Sequence, residues 1–250
     1  MRLFLGDILM IDLEKIGIDY NKSQIITIVG AGGKTSIMFD MGKKLKLQNR
    51  KVLITTTTKI YIPDKRHSDE MLLGKKELFD SYKPPKGSVT TSGKKVVQGN
   101  KYKGYNIEEI DYIRNKNIFD YIIIEGDGAK KRPLKAPRNF EPLVPKNTDI
   151  LLGVIGMDVL NKYINSENIF ALKEFLDITD KMINERIDAD CLIDLIVNKN
   201  GLFKYRGNEN YLILNKINPE NIKAAKKIKL EMDRNYSNFI KGTILVEEIV

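Results

Sequence analysis

One cysteine and one histidine in 250 residues remove several chemistries at once. With Cys191 alone, no intrachain disulfide can form, and no Cys/His cluster exists to hold zinc or an iron–sulfur group. Cys191 falls on the apolar face of a helical pattern, which is a core position rather than a nucleophile's. His67 lies in the polar stretch Asp64-Lys65-Arg66-His67-Ser68-Asp69-Glu70, a poor setting for a Ser-His-Asp device. No apolar run approaches the length of a membrane span, and the opening Met1-Arg2-Leu3-Phe4-Leu5-Gly6-Asp7 breaks too early for a signal peptide. The expectation is a soluble, cytoplasmic protein with no membrane partner.

With 42% hydrophobic and 30% charged residues, the chain is long enough to bury one large α/β core, and a single domain over 1–250 is expected. The formal charge of +9 attracts polyanions of any kind and by itself chooses none of them. Much of it lies on helix faces such as Lys223, Lys226, Lys227 and Lys229, where solvation is the default.

Strand-like runs alternate with helical patterns: Ile25 to Val29, Val52 to Thr57, Tyr121 to Glu125, Ile150 to Ile155, Tyr211 to Asn215 and Thr243 to Glu248. That rhythm predicts a three-layer α/β/α fold of the phosphate-loop type around a mostly parallel sheet. The runs at 121–124 and 150–155 are continuously apolar, as expected of strands covered on both faces. Asn106 with Glu109 reads as a capping box, Asn218-Pro219 as a cap and first-turn proline, and Asp188 as the cap of a helix stopping near Gly201. The stretch 63–104, rich in Lys, Gly, Pro and Ser, reads as a loop-rich insertion around a short strand at Val89-Thr90-Thr91.

Between the first apolar run and a helical pattern sits Gly30-Ala31-Gly32-Gly33-Lys34-Thr35-Ser36. Backbone N–H groups in such a turn point inward, the following helix turns its positive end toward them, and Lys34 adds a full charge. All seven residues are candidates to hold the phosphates of ATP or another nucleoside triphosphate, with Thr35 placed to ligate Mg²⁺. The string is not the standard Walker A, which needs a glycine where Ile28 stands. Its compact G-x-x-G-K-T most resembles the short loop of Mur-type ligases. A glycine-rich turn with no ligand is the plain alternative.

In an open parallel sheet, ligands collect beyond the C-terminal strand ends. Thr55-Thr56-Thr57-Thr58-Lys59 follows the second run, and Thr57, Thr58 and Lys59 are candidates to line a substrate site, although threonine also simply favours strands. Glu125-Gly126-Asp127-Gly128 follows the third. There Asp127 is the candidate Mg²⁺ ligand and Glu125 the group that orients a water or acceptor, with Lys34 completing the catalytic set. A solvated turn is the competing reading.

Next come five cations within nine residues, Lys130 to Arg138, punctuated by Pro133 and Pro137. Lys130, Arg132, Lys135 and Arg138 are candidates to recruit an anionic second substrate. No reading helix or stacking aromatic lies among them, so nucleic acid is not expected as a partner. Asn215-Lys216-Ile217-Asn218 resembles the guanine-reading N-K-x-D string with its aspartate replaced. An amide cannot accept two bonds from guanine's edge, so Asn215 and Lys216 are candidates for base or ribose contact without guanine selectivity.

Val29-Gly30-Ala31-Gly32-Gly33-Lys34-Thr35, Leu53-Ile54-Thr55-Thr56-Thr57-Thr58-Lys59, Glu125-Gly126-Asp127-Gly128-Ala129-Lys130 and Arg132-Pro133-Leu134-Lys135-Ala136-Pro137, in this order, resemble the YqeC family. The similarity continues through Gly153-Val154-Ile155-Gly156-Met157-Asp158 to Leu214-Asn215-Lys216. Where the family usually has Glu-Ala-Asp-Gly this chain has Gly126, and the family's His-Arg pair is absent near Ile169-Phe170-Ala171-Leu172. The resemblance implies an accessory role in maturing the selenium-containing molybdenum cofactor of hydroxylases. Its implied partners are a molybdopterin-type anion, a molybdenum hydroxylase, or that enzyme's maturation proteins. The other readings weighed are a nucleotide-gated cofactor carrier and a Mur-like ligase working through an acyl phosphate.

Overall fold

Continuously apolar strands need cover on both faces, and the computed structural model, which describes residues 11–64 and 66–247, provides it. The predicted strand end at Glu248, Lys65 and the opening residues Met1 to Asp7 lie outside the described residues. In chain order the strands are β1 Gln24–Gly30, β2 Lys51–Thr56, β3 Lys59–Tyr61, β4 Glu70–Leu73, β5 Ser88–Gly93, β6 Lys95–Val97, β7 Lys101–Lys103, β8 Tyr121–Glu125, β9 Leu134–Lys135, β10 Ile150–Gly156, β11 Ile169–Phe170, β12 Glu209–Ile217 and β13 Gly242–Glu247. The α-helices are α1 Lys34–Leu47, α2 Ile107–Asn115, α3 Leu172–Thr179, α4 Ala189–Val197 and α5 Ile222–Asn235.

Eight strands form one sheet in the order β13-β12-β10-β1-β8-β2-β5-β4, every neighbouring pair parallel. Alternation along β1 divides its side chains between two covered faces. Ile26 and Ile28 pack with α1 through Ile37, Met38, Met41 and Leu45, and the segment from Ile11 to Ile16 covers the β10 to β13 part of that face. On the other face α2 covers Ile25, Leu53, Ile122 and Ile124, while α3, α4 and α5 cover Val29, Leu151, Ile155, Leu212 and Leu214. The result is a three-layer α/β/α architecture.

Because all eight strands run the same way, their C-terminal ends share one edge, with β1 at its middle. The chain leaves β1 toward β2 on one side and later crosses to β10 on the other, so the connections diverge beside the end of β1.

The capping box at Asn106 and Glu109 is present, and the Asp188 side chain accepts the Cys191 N–H at the start of α4. Cys191 is fully buried and its thiol is pushed up to about 12 by that burial, an inert core position. Asn218 differs from its predicted place. Its side chain accepts from Glu220 and Asn221 in a turn that precedes α5, and the helix itself begins at Ile222. The stretch 63–104 holds more order than a loop around one strand: β4 and β5 extend the main sheet, while β6 and β7 join β3 in a small antiparallel sheet. β4, β6 and β7 are only three or four residues long, and β6 and β7 carry lysines, so they do not stand out by apolar patterning.

Candidate functional site

The loop after β1 is shaped by close backbone packing. Gly30, Gly32 and Gly33 have φ of 94°, 83° and 131°, all in the region that favours glycine. A Cβ on Gly32 would overlap the backbone of Gly156 at the end of β10, and one on Gly33 would overlap the side-chain nitrogen of Asn215. Asn215 donates to the Gly32 carbonyl at 2.8 Å, tying β12 to the loop. The glycines therefore have an architectural reason to be there, whatever the loop binds.

What packing leaves unexplained is the donor pattern. The Ala31 N–H bonds to the Val154 carbonyl and the Ile37 N–H to the Gly33 carbonyl. Between them the five successive N–H groups of Gly32, Gly33, Lys34, Thr35 and Ser36 have no acceptor among the described residues. They stand at the positive end of α1, with Thr35 and Ser36 exposed, which is the arrangement that favours an anion.

Lys34 turns from the helix into a buried cluster. Its ammonium donates to the Gly30 carbonyl and pairs with Asp127 at 3.1 Å and Glu125 at 3.9 Å. Burial alone would pull Lys34 below the ordinary lysine value, but Asp127 and Glu125 outweigh it and hold it above. Glu125 is pushed above the ordinary glutamate value by burial, opposed by the charge of Lys34. Its Oε2 accepts the Thr35 hydroxyl at 3.3 Å. Asp127 accepts the Gly30 N–H at 3.2 Å and pairs through its second oxygen with Lys135 at 3.1 Å. Lys135 also pairs with Glu141 at 2.9 Å and donates to the Gly128 carbonyl at 2.8 Å. Thus Lys34, Asp127, Lys135 and Glu141 form an alternating chain of charges from the glycine loop into the 128–141 segment.

The other predicted residues divide. Thr57 is 3.3 Å from the Gly126 and Leu143 carbonyls, and Thr56 accepts the Thr58 N–H, so these threonines hold the strand ends together. Lys59 is exposed at the start of β3. Lys130 and Arg132 are exposed, and the Arg138 guanidinium lies 4.5 Å from the centre of Phe170. Lys135 is not among the solvent-facing cations, being 2% exposed. The pairing of β9 with β11 turns it inward. Lys216 is drawn to Asp158 at 2.7 Å rather than toward the loop.

Sequence reasoning passed over Glu141, Asp158 and Tyr102. Glu141 lies well downstream of Glu125 with no spacing rule to connect them. Asp158 follows Gly156-Met157 at the end of β10 and pairs with Lys216 from β12. Tyr102 is fully buried, its phenol pushed up by burial and by the charge of Glu125. The alternation Lys101-Tyr102-Lys103 was the signal for it. Among the described residues no group of three or more His, Cys, Asp or Glu is arranged to hold a metal ion, and no helix is long and apolar enough to cross a membrane.

Fold and site together define an α/β protein whose parallel sheet presents a glycine-rich strand-to-helix loop over a buried lysine–carboxylate cluster. The chain belongs to the YqeC family: the family model described as YqeC protein matches residues 26–173. The sequence is also 33% identical over 192 residues to an Escherichia coli (strain K12) protein described as uncharacterized protein YqeC, covering 72% of this chain and 70% of that one. The matched span 26–173 takes in the glycine loop, Glu125, Asp127, Lys135 and Glu141, whereas Asn215 and Lys216 lie beyond it.

Proposed function

We propose that the loop from Gly30 to Ser36 binds the phosphates of a nucleotide, ATP or another triphosphate, with Mg²⁺. In this reading the protein is an accessory factor for the selenium-containing molybdenum cofactor of hydroxylases. The observation that carries the phosphate site is the run of five unpartnered N–H groups at the start of α1, with a lysine inside it. The pathway rests on the family resemblance.

The residues present fit both groups in part. The loop N–H groups donate to phosphate oxygens, and Lys34, already flanked by carboxylates, supplies the opposing charge. For the metal, the hydroxyl of Thr35 beside Glu125 is the better pair. Both oxygens of Asp127 already face ammonium groups, those of Lys34 and Lys135, so Asp127 acts as the anchor of the two lysines. Thr35 and Glu125 would hold Mg²⁺, which would supply positive charge beside the phosphates. The exposed Lys130 and Arg132 then receive an anionic second ligand at the same sheet edge. The ion chain from Lys34 to Glu141 favours one variant of this reading, a nucleotide-gated carrier, because a phosphate competing for Lys34 changes the partners of Asp127 and so of Lys135. Product analysis separates the two: ADP and phosphate alone indicate the switch, a covalently altered acceptor the transferase.

Thr35→Ala tests the site. ATP affinity measured by equilibrium dialysis with and without Mg²⁺ is expected to lose about tenfold, ~1.4 kcal/mol, of its Mg²⁺-dependent part while the metal-free affinity stays. An unchanged Mg²⁺ dependence contradicts the assignment of Thr35.

A further inference from the structure

The small antiparallel sheet beside the site carries a charge pattern that nucleotide binding does not explain. Lys59 on β3 lies directly opposite Lys103 on β7, and Lys103 directly opposite Lys95 on β6. One step along, Tyr61 opposes Lys101, which opposes Val97. Directly opposed residues share a face, and on β3 and β7 it is the outer one: Lys59 and Lys103 are exposed while Ile60 and Tyr102 at the alternate positions are buried, and on β6 both Lys95 and Val96 are exposed. Like charges placed directly opposite weaken strand pairing. The sheet nevertheless sets three lysines in a row. None of Lys59, Lys95, Lys101 and Lys103 has a carboxylate partner among the described residues, in contrast to Lys94, which pairs with Glu109.

The surface continues into the basic loop. The Lys131 ammonium lies 4.9 Å from the centre of the Tyr61 ring and that of Lys101 lies 4.4 Å from it. Exposed Lys131 thereby extends the patch to five cations over three strands and a loop. With strands about 4.8 Å apart, the lysine row alone spans about 10 Å, more than one phosphate group can cover.

We infer that this face docks an acidic segment of a partner protein. Charge complementarity calls for an anionic partner, and its breadth calls for several carboxylates in sequence rather than a single small anion. Single-stranded nucleic acid needs aromatic faces free to stack. The one outward aromatic of the small sheet, Tyr61, is already faced by two ammonium groups. The inference does not depend on the loop's ligand.

The test uses the full chain and two probes, a fluorescent 20-residue polyglutamate peptide and a single-stranded oligothymidylate of equal length. Lys103→Glu sets a carboxylate between Lys59 and Lys95. Lys226→Glu, at an exposed lysine of α5 with no ion-pair or hydrogen-bond partner among the described residues, makes the same change in net charge. Lys103→Glu is expected to weaken peptide binding about tenfold, against less than about twofold for Lys226→Glu. It is also expected to raise the melting temperature, because two repulsive cross-strand pairs become attractive. Equal losses in the two variants would reduce the effect to net charge and overturn the inference. So would undiminished peptide binding by Lys103→Glu, or tighter binding of the oligonucleotide that this substitution selectively abolishes.

Discussion

Lys135→Met is expected to lower the melting temperature by about 10 °C, from a loss of about 3–5 kcal/mol, the scale for removing one partner of a buried ion pair. The ammonium of Lys135 touches Asp127, Glu141 and the Gly128 carbonyl from a position only 2% exposed. Methionine fills much of the volume but leaves both carboxylates without that charge. Lys130→Met, five residues earlier on the exposed side of the same basic run, is expected to change stability by no more than about 0.5 kcal/mol. Thermal unfolding followed by circular dichroism separates the two. Equal, small effects would return Lys135 to the surface cations and contradict the ion chain from Lys34 to Glu141.

Gly32→Ala is the second large effect. The loop must take a φ of 83° there, which costs a residue with a Cβ about 1–2 kcal/mol. The new methyl also overlaps the backbone of Gly156, which cannot rotate away as a side chain can. A total loss of about 3 kcal/mol or more is expected, with the loop displaced from β10. Gly128→Ala is the control, since a Cβ there meets nothing within 4 Å. If Gly32→Ala proved as neutral as Gly128→Ala, the packing of the loop on β10 would be wrong.

The parallel sheet was legible because its central strands are buried on both faces. Tyr121-Ile122-Ile123-Ile124 has no polar residue facing solvent on either side, and its bounds in the fold are those read from the pattern. The edge of the sheet was less so. β4 is four residues long and half exposed, so its pattern does not stand out from a loop. At the site, Gly30 to Ser36, Glu125 and Asp127 could be found because strand ends in a parallel sheet converge whatever the details of packing. Lys135 could not be separated from Lys130 and Arg132 by sequence. All belong to one basic run, and only the pairing of Leu134–Lys135 with Ile169–Phe170 turns one of them inward. Glu141 was invisible for the same reason, since its role exists only once Lys135 is buried. The lysine row needed strand register: Lys59, Lys95 and Lys103 are far apart in the chain and adjacent only across β3, β7 and β6.

The proposed function requires the loop at the start of α1 to hold phosphate. A thermal-shift series with Mg²⁺ plus ATP, GTP, CTP or no nucleotide, on wild type and Lys34→Met, tests it most directly. A nucleotide at a hundred times its dissociation constant stabilises by about 2.7 kcal/mol, roughly 5–10 °C for a domain of this size. Lys34→Met is expected to melt lower than wild type without ligand, because Asp127 and Glu125 lose a shared partner, so the reading is the nucleotide-induced rise within each protein. The rise is expected in wild type with at least one nucleotide and is expected to be lost in Lys34→Met. No rise in wild type, or an equal rise in both proteins, would contradict the phosphate site.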